Sequence, residues 1–350
     1  KEKYGEERRT EIIEDFTSLS IEDMIAEEEM VLTITHNGYI KRTSLSTYRS
    51  QRRGGRGVQG ASSREEDFVE HLFVANTHSY ILFFTDKGKC YWVKVYDIPE
   101  GGRAAKGRAI VNLIGCEPDE KVSAFISVKE FNDDHYVVMA TEKGMVKKTK
   151  LSANSNPRKK GIYAVEIRDG DKLIEARVST GDNDILLGTR NGKSIRFSEE
   201  QIRASGRKTM GVKGITLSSE DDRLVGMLLI KREGTVLVAT EKGFGKRTEI
   251  SQYRAQKRGG KGVLTMKTTD KVGKMVTIKE VVDKDDLMII TNQGVLIRLP
   301  VAQIRSIGRA TQGVKLIKLG EGTLVSSITR IMSEEEEDEN NNTEPADPKE

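Results

Sequence analysis

The chain has 350 residues, 36% of them apolar, and a formal net charge of +4, a length that would suit two or three ordinary domains. It holds neither eighteen consecutive apolar residues nor a basic-then-apolar leader, so neither membrane insertion nor secretion is expected; Cys90 and Cys116, outside any Cys-x-x-Cys, fit a reducing cytoplasm. The small total charge hides a segregation: residues 1–29 carry net −7 and residues 334–350 net −8, which leaves +19 on residues 30–333.

Residues 1–29 hold four basic and eleven acidic side chains and open on Lys1 without an initiator methionine. They are expected to be an acidic linker continuing a longer polypeptide. From residue 30 onward one unit recurs six times. Each begins with a short apolar run, such as Ile81-Leu82-Phe83-Phe84, Val137-Val138-Met139-Ala140, Ile185-Leu186-Leu187 or Leu287-Met288-Ile289-Ile290, which reads as a buried strand. A Thr-x-x-Gly turn follows, ending at Gly38, Gly88, Gly144, Gly192, Gly243 and Gly294, the residue that tolerates the positive φ of a tight hairpin. The returning strand mixes apolar and basic residues, as in Tyr39-Ile40-Lys41-Arg42 and Val295-Leu296-Ile297-Arg298.

A second glycine closes each unit's basic segment: Gly57, Gly107, Gly161, Gly211, Gly262 and Gly313, 19 residues after the first in five units and 17 in the third. A hairpin plus one further strand cannot bury a core alone. A period near 51 residues therefore predicts a propeller-like closed ring over residues 30–333, one sheet per unit, without long free edges.

The cations cluster around the second glycine. Four residues before it stand Arg53, Arg103, Arg207, Arg258 and Arg309; the third unit has Pro157 there and places Arg158, Lys159 and Lys160 beside it. The same loops carry Arg52, Arg56, Lys106, Arg108, Lys208, Lys213, Arg254, Lys257, Lys261 and Lys315. Repeated geometry turns one basic loop per blade into a belt of cations, suited to a phosphate backbone along a curved rim. In Gln51-Arg52-Arg53-Gly54-Gly55-Arg56-Gly57 the arginines offer forks for phosphate oxygens, and the glycines let backbone N–H groups approach them. Gln256-Lys257-Arg258-Gly259-Gly260-Lys261-Gly262 repeats this box with lysine at two of three arginine sites, which keeps charge and loses the bidentate fork.

The first box resembles the signature of the C-terminal domain of the DNA gyrase A protein. Tyr4-Gly5-Glu6-Glu7-Arg8-Arg9-Thr10-Glu11-Ile12 is similar to the stretch that ends that family's cleavage core, so the resemblance extends to about Ile331. It implies an all-β, six-bladed β-pinwheel, a propeller-like ring of four-stranded antiparallel blades that exchange strands, whose outer edge wraps duplex DNA without sequence preference. It further implies a place in a cytoplasmic, nucleoid-associated, ATP-dependent type IIA topoisomerase that introduces negative supercoils. The implied partners are the N-terminal cleavage core of the same polypeptide and the DNA gyrase B protein, in a holoenzyme built from two copies of each. ATP and Mg would sit on other domains, with no cofactor, metal site or cleavage tyrosine in this chain. The related component of topoisomerase IV shares the repeat but typically has a degraded box. A propeller scaffold for acidic protein partners is the alternative from another class.

Other candidates carry little. Gly102-x4-Gly107, Gly206-x4-Gly211 and Gly308-x4-Gly313 imitate a nucleotide phosphate loop, but no Lys-Ser or Lys-Thr follows. His36, His71, His78 and His135 show no metal-ligand spacing with the cysteines. Trp92 is expected to pack within the second unit, and Asp133-Asp134 and Asp285-Asp286 to be solvated loop residues. Residues 334–350, rich in glutamate, asparagine and proline, lack the apolar surface to fold and are expected to form an acidic tail.

Overall fold

The computed structural model describes residues 22–35, 37–44, 69–102, 105–156, 158–231, 234–293 and 296–331. The first unit supplies β1 (Glu29–Thr35), β2 (Tyr39–Ser44) and β3 (Val69–Asn76), and the second β4 (Tyr80–Thr85), β5 (Lys89–Lys94), β6 (Arg108–Ala109) and β7 (Val122–Val128). The third has β8 (Tyr136–Thr141), β9 (Met145–Lys150), β10 (Ile162–Tyr163) and β11 (Leu173–Ser179); the fourth has β12 (Asp184–Thr189), β13 (Lys193–Ser198), β14 (Val212–Lys213) and β15 (Leu224–Ile230). The fifth has β16 (Thr235–Thr240), β17 (Phe244–Glu249), β18 (Val263–Leu264) and β19 (Met275–Val281), and the sixth β20 (Asp286–Thr291), β21 (Leu296–Pro300), β22 (Val314–Lys315) and β23 (Val325–Ile331).

Six antiparallel sheets result, in the orders β3-β1-β2-β6, β7-β4-β5-β10, β11-β8-β9-β14, β15-β12-β13-β18, β19-β16-β17-β22 and β23-β20-β21. The long last strand of each unit returns to its own hairpin, and the two-residue strand after the second glycine crosses to the preceding blade. The chain is therefore a six-bladed pinwheel with strands exchanged between neighbours. The sixth sheet has three strands among the described residues. Around the centre β11 lies against β7 and β15, β19 against β15 and β23, and β23 against β3, so the sixth blade meets the first.

The Thr-x-x-Gly turn is explained by its own bonds. Gly88 has φ 79° and its N–H donates to the Thr85 carbonyl at 2.9 Å, while the Thr85 hydroxyl accepts the Lys89 N–H at 3.3 Å. The same pair of contacts recurs at Thr35, Thr141 and Thr189. A short side chain with one acceptor and a residue free to take positive φ are what this three-residue hairpin loop requires.

The apolar runs are buried on both faces because each blade is sandwiched. Ile81 and Phe83 pack toward the first blade with Leu32 and Ile40, whereas Leu82 and Phe84 pack toward the third with Val137 and Met139. Val138 and Ala140 then face the fourth blade, and Leu186 the fifth. Continuous rather than alternating hydrophobicity is the pattern of strands covered on both sides. Each such side chain contributes about 1.5–3 kcal/mol of burial.

Candidate nucleic-acid interface

The exchanged strand explains the second glycine and fixes where the basic loops stand. In the fourth blade the Gly192 carbonyl accepts the N–H groups of Thr265 and Met266 at 2.8 and 3.1 Å. A Cβ on Gly192 would stand 2.1 Å from the Met266 oxygen, and one on Gly262 2.4 Å from the Ser194 oxygen. In blades two to five each short strand is thus threaded between two glycines, its own and its neighbour's, while in blade one a Cβ on Gly38 would meet nothing within 4 Å; in all five the short strand forms the outer edge of the blade. The loop before it is carried onto the rim.

Of the site residues expected from sequence, Gln51 to Gly57 and Arg103 lie outside the described residues. Lys106, Arg108, Arg158, Lys159, Lys160, Lys208, Lys213, Lys257, Lys261 and Lys315 are exposed at this edge. Lys106 stacks over the Tyr39 ring at 4.0 Å and Lys315 lies 5.6 Å from the Phe244 ring, which aligns both ammoniums on the rim. Arg207, Gln256, Arg258 and Arg309 are half-buried. Two of these arginines latch loop to loop: Arg309 donates from Nη1 to the Leu264 carbonyl at 3.1 Å, and Arg258 donates from Nε to the Gln201 carbonyl at 3.2 Å and from Nη1 to the Lys213 carbonyl. Their forks are partly committed to the protein before any ligand arrives. The lysine-bearing box is held flat on its neighbour: Gly259 N–H donates to Gly214 O at 2.8 Å, Thr216 N–H to Gly260 O at 2.9 Å and the Thr216 hydroxyl to Gly259 O at 2.7 Å.

A second set of cations, four residues after the first glycine in the first, fourth and fifth units, faces inward. Arg42 donates to the Ile98 carbonyl at 2.7 Å and pairs with Glu100 at 3.2 Å. Arg196 pairs with Asp184 at 2.6 Å and reaches the carbonyls of Ile250 and Tyr253 at 3.3 and 3.2 Å. Arg247 donates to Ile304 O at 2.7 Å and pairs with Asp283. Trp92 takes this place in the second blade, half-buried as expected, its indole N–H on Asn154 O at 2.8 Å. These side chains staple the following unit's single-turn helix to the blade, so part of the basic count is structural. One expectation is corrected: Asp285 is fully buried, accepting the Val282 N–H at 2.9 Å, because β20 starts at the next residue and draws the loop inside.

Sequence reasoning passed over three lysines at the third position after the first glycine. Lys41, Lys147 and Lys246 are buried beneath rim loops. Burial, with Arg207 beside Lys147 and Arg309 beside Lys246, pushes both of those ammoniums down to about 8. The signal was available: units one, three and five have lysine there, and units two, four and six have Tyr91, Ile195 and Ile297.

The family model described as "DNA gyrase C-terminal domain, beta-propeller" matches residues 29–76, 79–129, 135–180, 183–231, 234–281 and 285–331. The chain belongs to this DNA gyrase C-terminal domain family. Its six matched segments coincide with the six units. The DNA gyrase A protein of Staphylococcus epidermidis is 47% identical over 340 residues, 96% of this chain and 38% of that protein. The DNA gyrase A protein of Staphylococcus aureus is 47% identical over 344 residues, 97% of this chain and 39% of that protein. The chain thus spans about two fifths of the length of these relatives. Among solved structures, the C-terminal domain of DNA topoisomerase IV superposes with TM-score 0.78 at 26% identity, covering 90% of this chain and 97% of the other. A DNA gyrase A C-terminal domain superposes with TM-score 0.68 at 24% identity over 87% and 100%, a likeness of fold.

Proposed function

We propose that this family member binds duplex DNA without sequence preference and wraps it around the outer rim. There it would serve a gyrase holoenzyme that introduces negative supercoils by ATP-dependent strand passage. The observation that carries this reading is the belt of exposed cations, Lys106, Arg108, Arg158, Lys159, Lys160, Lys208, Lys213, Lys257, Lys261 and Lys315, each beside an exchanged strand on the edge of its blade. Such cations bind phosphates by releasing condensed counterions, and they read no base edge. The 47% identity to gyrase A proteins over nearly the whole chain favours gyrase over topoisomerase IV; the pinwheel itself is common to both.

On this reading the chain performs no chemical step. It bends the duplex, and the energy of bending is repaid by phosphate contacts along the rim. The cleavage core of the same polypeptide, the gyrase B protein, ATP and Mg, and a cytoplasmic, nucleoid-associated location belong to the proposal through the resemblance to the gyrase A family. Among the described residues no helix is long and apolar enough to cross a membrane.

The test is the linking number of nicked circular DNA religated with the chain bound. Wrapping shifts it with one sign, in proportion to bound protein. An unchanged distribution under saturating binding sinks wrapping and leaves a basic scaffold for acidic partners.

A further inference from the structure

Among the described residues the rim loops over blades one to five are of two alternating kinds, and what lies beneath them differs. Loops Gly102–Gly107, Gly206–Gly211 and Gly308–Gly313 sit over blades one, three and five. Beneath the first, Lys41 Nζ donates to the Gly102 carbonyl at 3.0 Å. Beneath the second, Lys147 donates to Ala164 O at 2.8 Å and to the Arg207 carbonyl. Beneath the third, Lys246 donates to Gly308 O at 2.6 Å, to Arg309 O, and to the Thr311 hydroxyl at 3.1 Å. The loops over blades two and four rest instead on neutral side chains. A Cβ at Gly161 would meet the Tyr91 ring at 2.8 Å, and one at Gly260 would lie 3.5 Å from Ile195 Cδ1. Three buried ammoniums at one repeat position, each donating to at least one carbonyl of the glycine-bounded loop, are not what core packing alone requires. Ile195 at the fourth blade and the Tyr91 ring at the second fill the same place without an ammonium.

Accepting this chain as a DNA-wrapping ring, we propose that Lys147 and Lys246, with Lys41 as their counterpart in the first blade, are positioning residues for phosphate contact at alternate blades. Each ammonium fixes the backbone of one rim loop, and Lys147 and Lys246 also add a positive charge directly behind their loop's arginine. In the loops over blades three and five the pair is Lys147 behind Arg207 and Lys246 behind Arg309. The groups that face them are few: Arg207 and Glu166 from other elements around Lys147, with Lys148 next to it on β9, and Arg309 around Lys246, with Arg247 next to it on β17. Two like charges this close repel, which is the cause, after burial, of the lowered proton affinity of both lysines. A phosphate placed on the arginine relieves that repulsion, so DNA and the lysine proton bind with positive coupling. Among the described residues the rim would then grip the duplex at charge-backed loops over blades three and five, interleaved with the loops over blades two and four that are not.

The experiment is a double-mutant cycle on the full chain binding duplex DNA at pH 7 in low salt. Lys246→Met is combined with Arg309→Ala and, separately, with Lys261→Ala. The expected result is that Lys246→Met weakens binding about fivefold, that little of this loss remains once Arg309 is absent, and that the losses with Lys261→Ala multiply. Independence of Lys246 and Arg309 overturns the inference while leaving wrapping intact. Should Lys246→Met fail to fold, the unaltered chain decides through its pH profile. Affinity is expected to fall, with proton uptake on binding, between pH 7 and 9, where exposed lysines and arginines hold their charge. A flat profile without proton uptake overturns the proposal. Absence of duplex binding by the unaltered chain at pH 7 would overturn the proposed function, and this inference with it.

Discussion

The ammonium of Lys246 lies 2.6 Å from the carbonyl oxygen of Gly308, a residue 62 positions later that belongs to the next unit of the repeat. That bond joins strand β17 to a loop whose short strand β22 pairs with β17 itself. It shows how the exchange of strands turns an exposed loop into a polar lid over a buried charge. Three acceptors solvate the ammonium in place of water, which is the condition for burying a lysine.

The proton on Lys246 should be visible in stability. Its native proton affinity is lowered from 10.5 to about 8, so between these values the unfolded chain holds a proton that the native chain has released. Stability then rises with pH, by about 1.4 kcal/mol per unit for one group, and the neutral-pH cost of the buried charge is relieved above that window. Lys246→Met removes this increment. Urea unfolding at pH 8.5 and 10 should show a smaller gain for the variant than for the unaltered chain; identical gains would mean that Lys246 is not titrating there.

Gly192 and Gly38 occupy the same turn position but should respond differently to alanine. Both have positive φ, 82° and 76°, which alone costs about 1–2 kcal/mol for an L side chain. A Cβ on Gly38 meets nothing within 4 Å, whereas one on Gly192 stands 2.1 Å from a backbone oxygen of the exchanged segment. Gly38→Ala should therefore cost only the φ penalty, and Gly192→Ala upward of about 3 kcal/mol, since backbone on both sides must move. Thermal melts of the two variants check this; equal shifts would mean that the exchanged strand is not what demands the glycine.

Much of the ring was readable because its rules are local and repeated. The Thr-x-x-Gly turns needed only Thr85 and Gly88 in register, and the runs such as Ile81 to Phe84 announced strands covered on both faces. The four-residue offset that picked out Arg207, Arg258 and Arg309 found the rim, but it could not tell how much of each guanidinium the protein itself uses. Arg309 reaches Leu264 O and Arg258 reaches Gln201 O, partners 45 and 57 residues away that only strand exchange brings near. The same exchange hid Lys147 and Lys246, which polarity places outside by default; Asp285 was hidden within its own unit, where β20 draws its loop in.

The cations of the ring should divide into two classes by mutation. Arg196 holds Asp184 and two carbonyls of the next unit, so Arg196→Ala should destabilise by about 2 kcal/mol through groups left unpaired, with the salt dependence of DNA binding unchanged. Lys257 and Lys261 are exposed in the lysine-bearing box. Replacing both with alanine should leave stability within about 0.5 kcal/mol and reduce the log–log salt slope by about 1.8, two phosphates' worth. A slope unaffected by the pair would show that this box is not in contact with DNA.

Arg52, Arg53 and Arg56 make the strictest test, because they lie outside the described residues and rest on sequence alone. Their box differs from the lysine-bearing one at two of the three cation sites, Arg52 against Lys257 and Arg56 against Lys261. Charge is therefore equal and only fork geometry separates them. Changing all three arginines to alanine should flatten the salt slope by up to about 2.7, and changing Arg52 and Arg56 to lysine should leave the slope while weakening affinity through lost bidentate contacts. In a reconstituted holoenzyme the alanine variant should lose supercoiling and keep relaxation, since wrapping is what sets the direction of strand passage in the proposed scheme. Supercoiling that survived the alanine changes would remove the box from the wrapping contact and leave the other five loops to carry it.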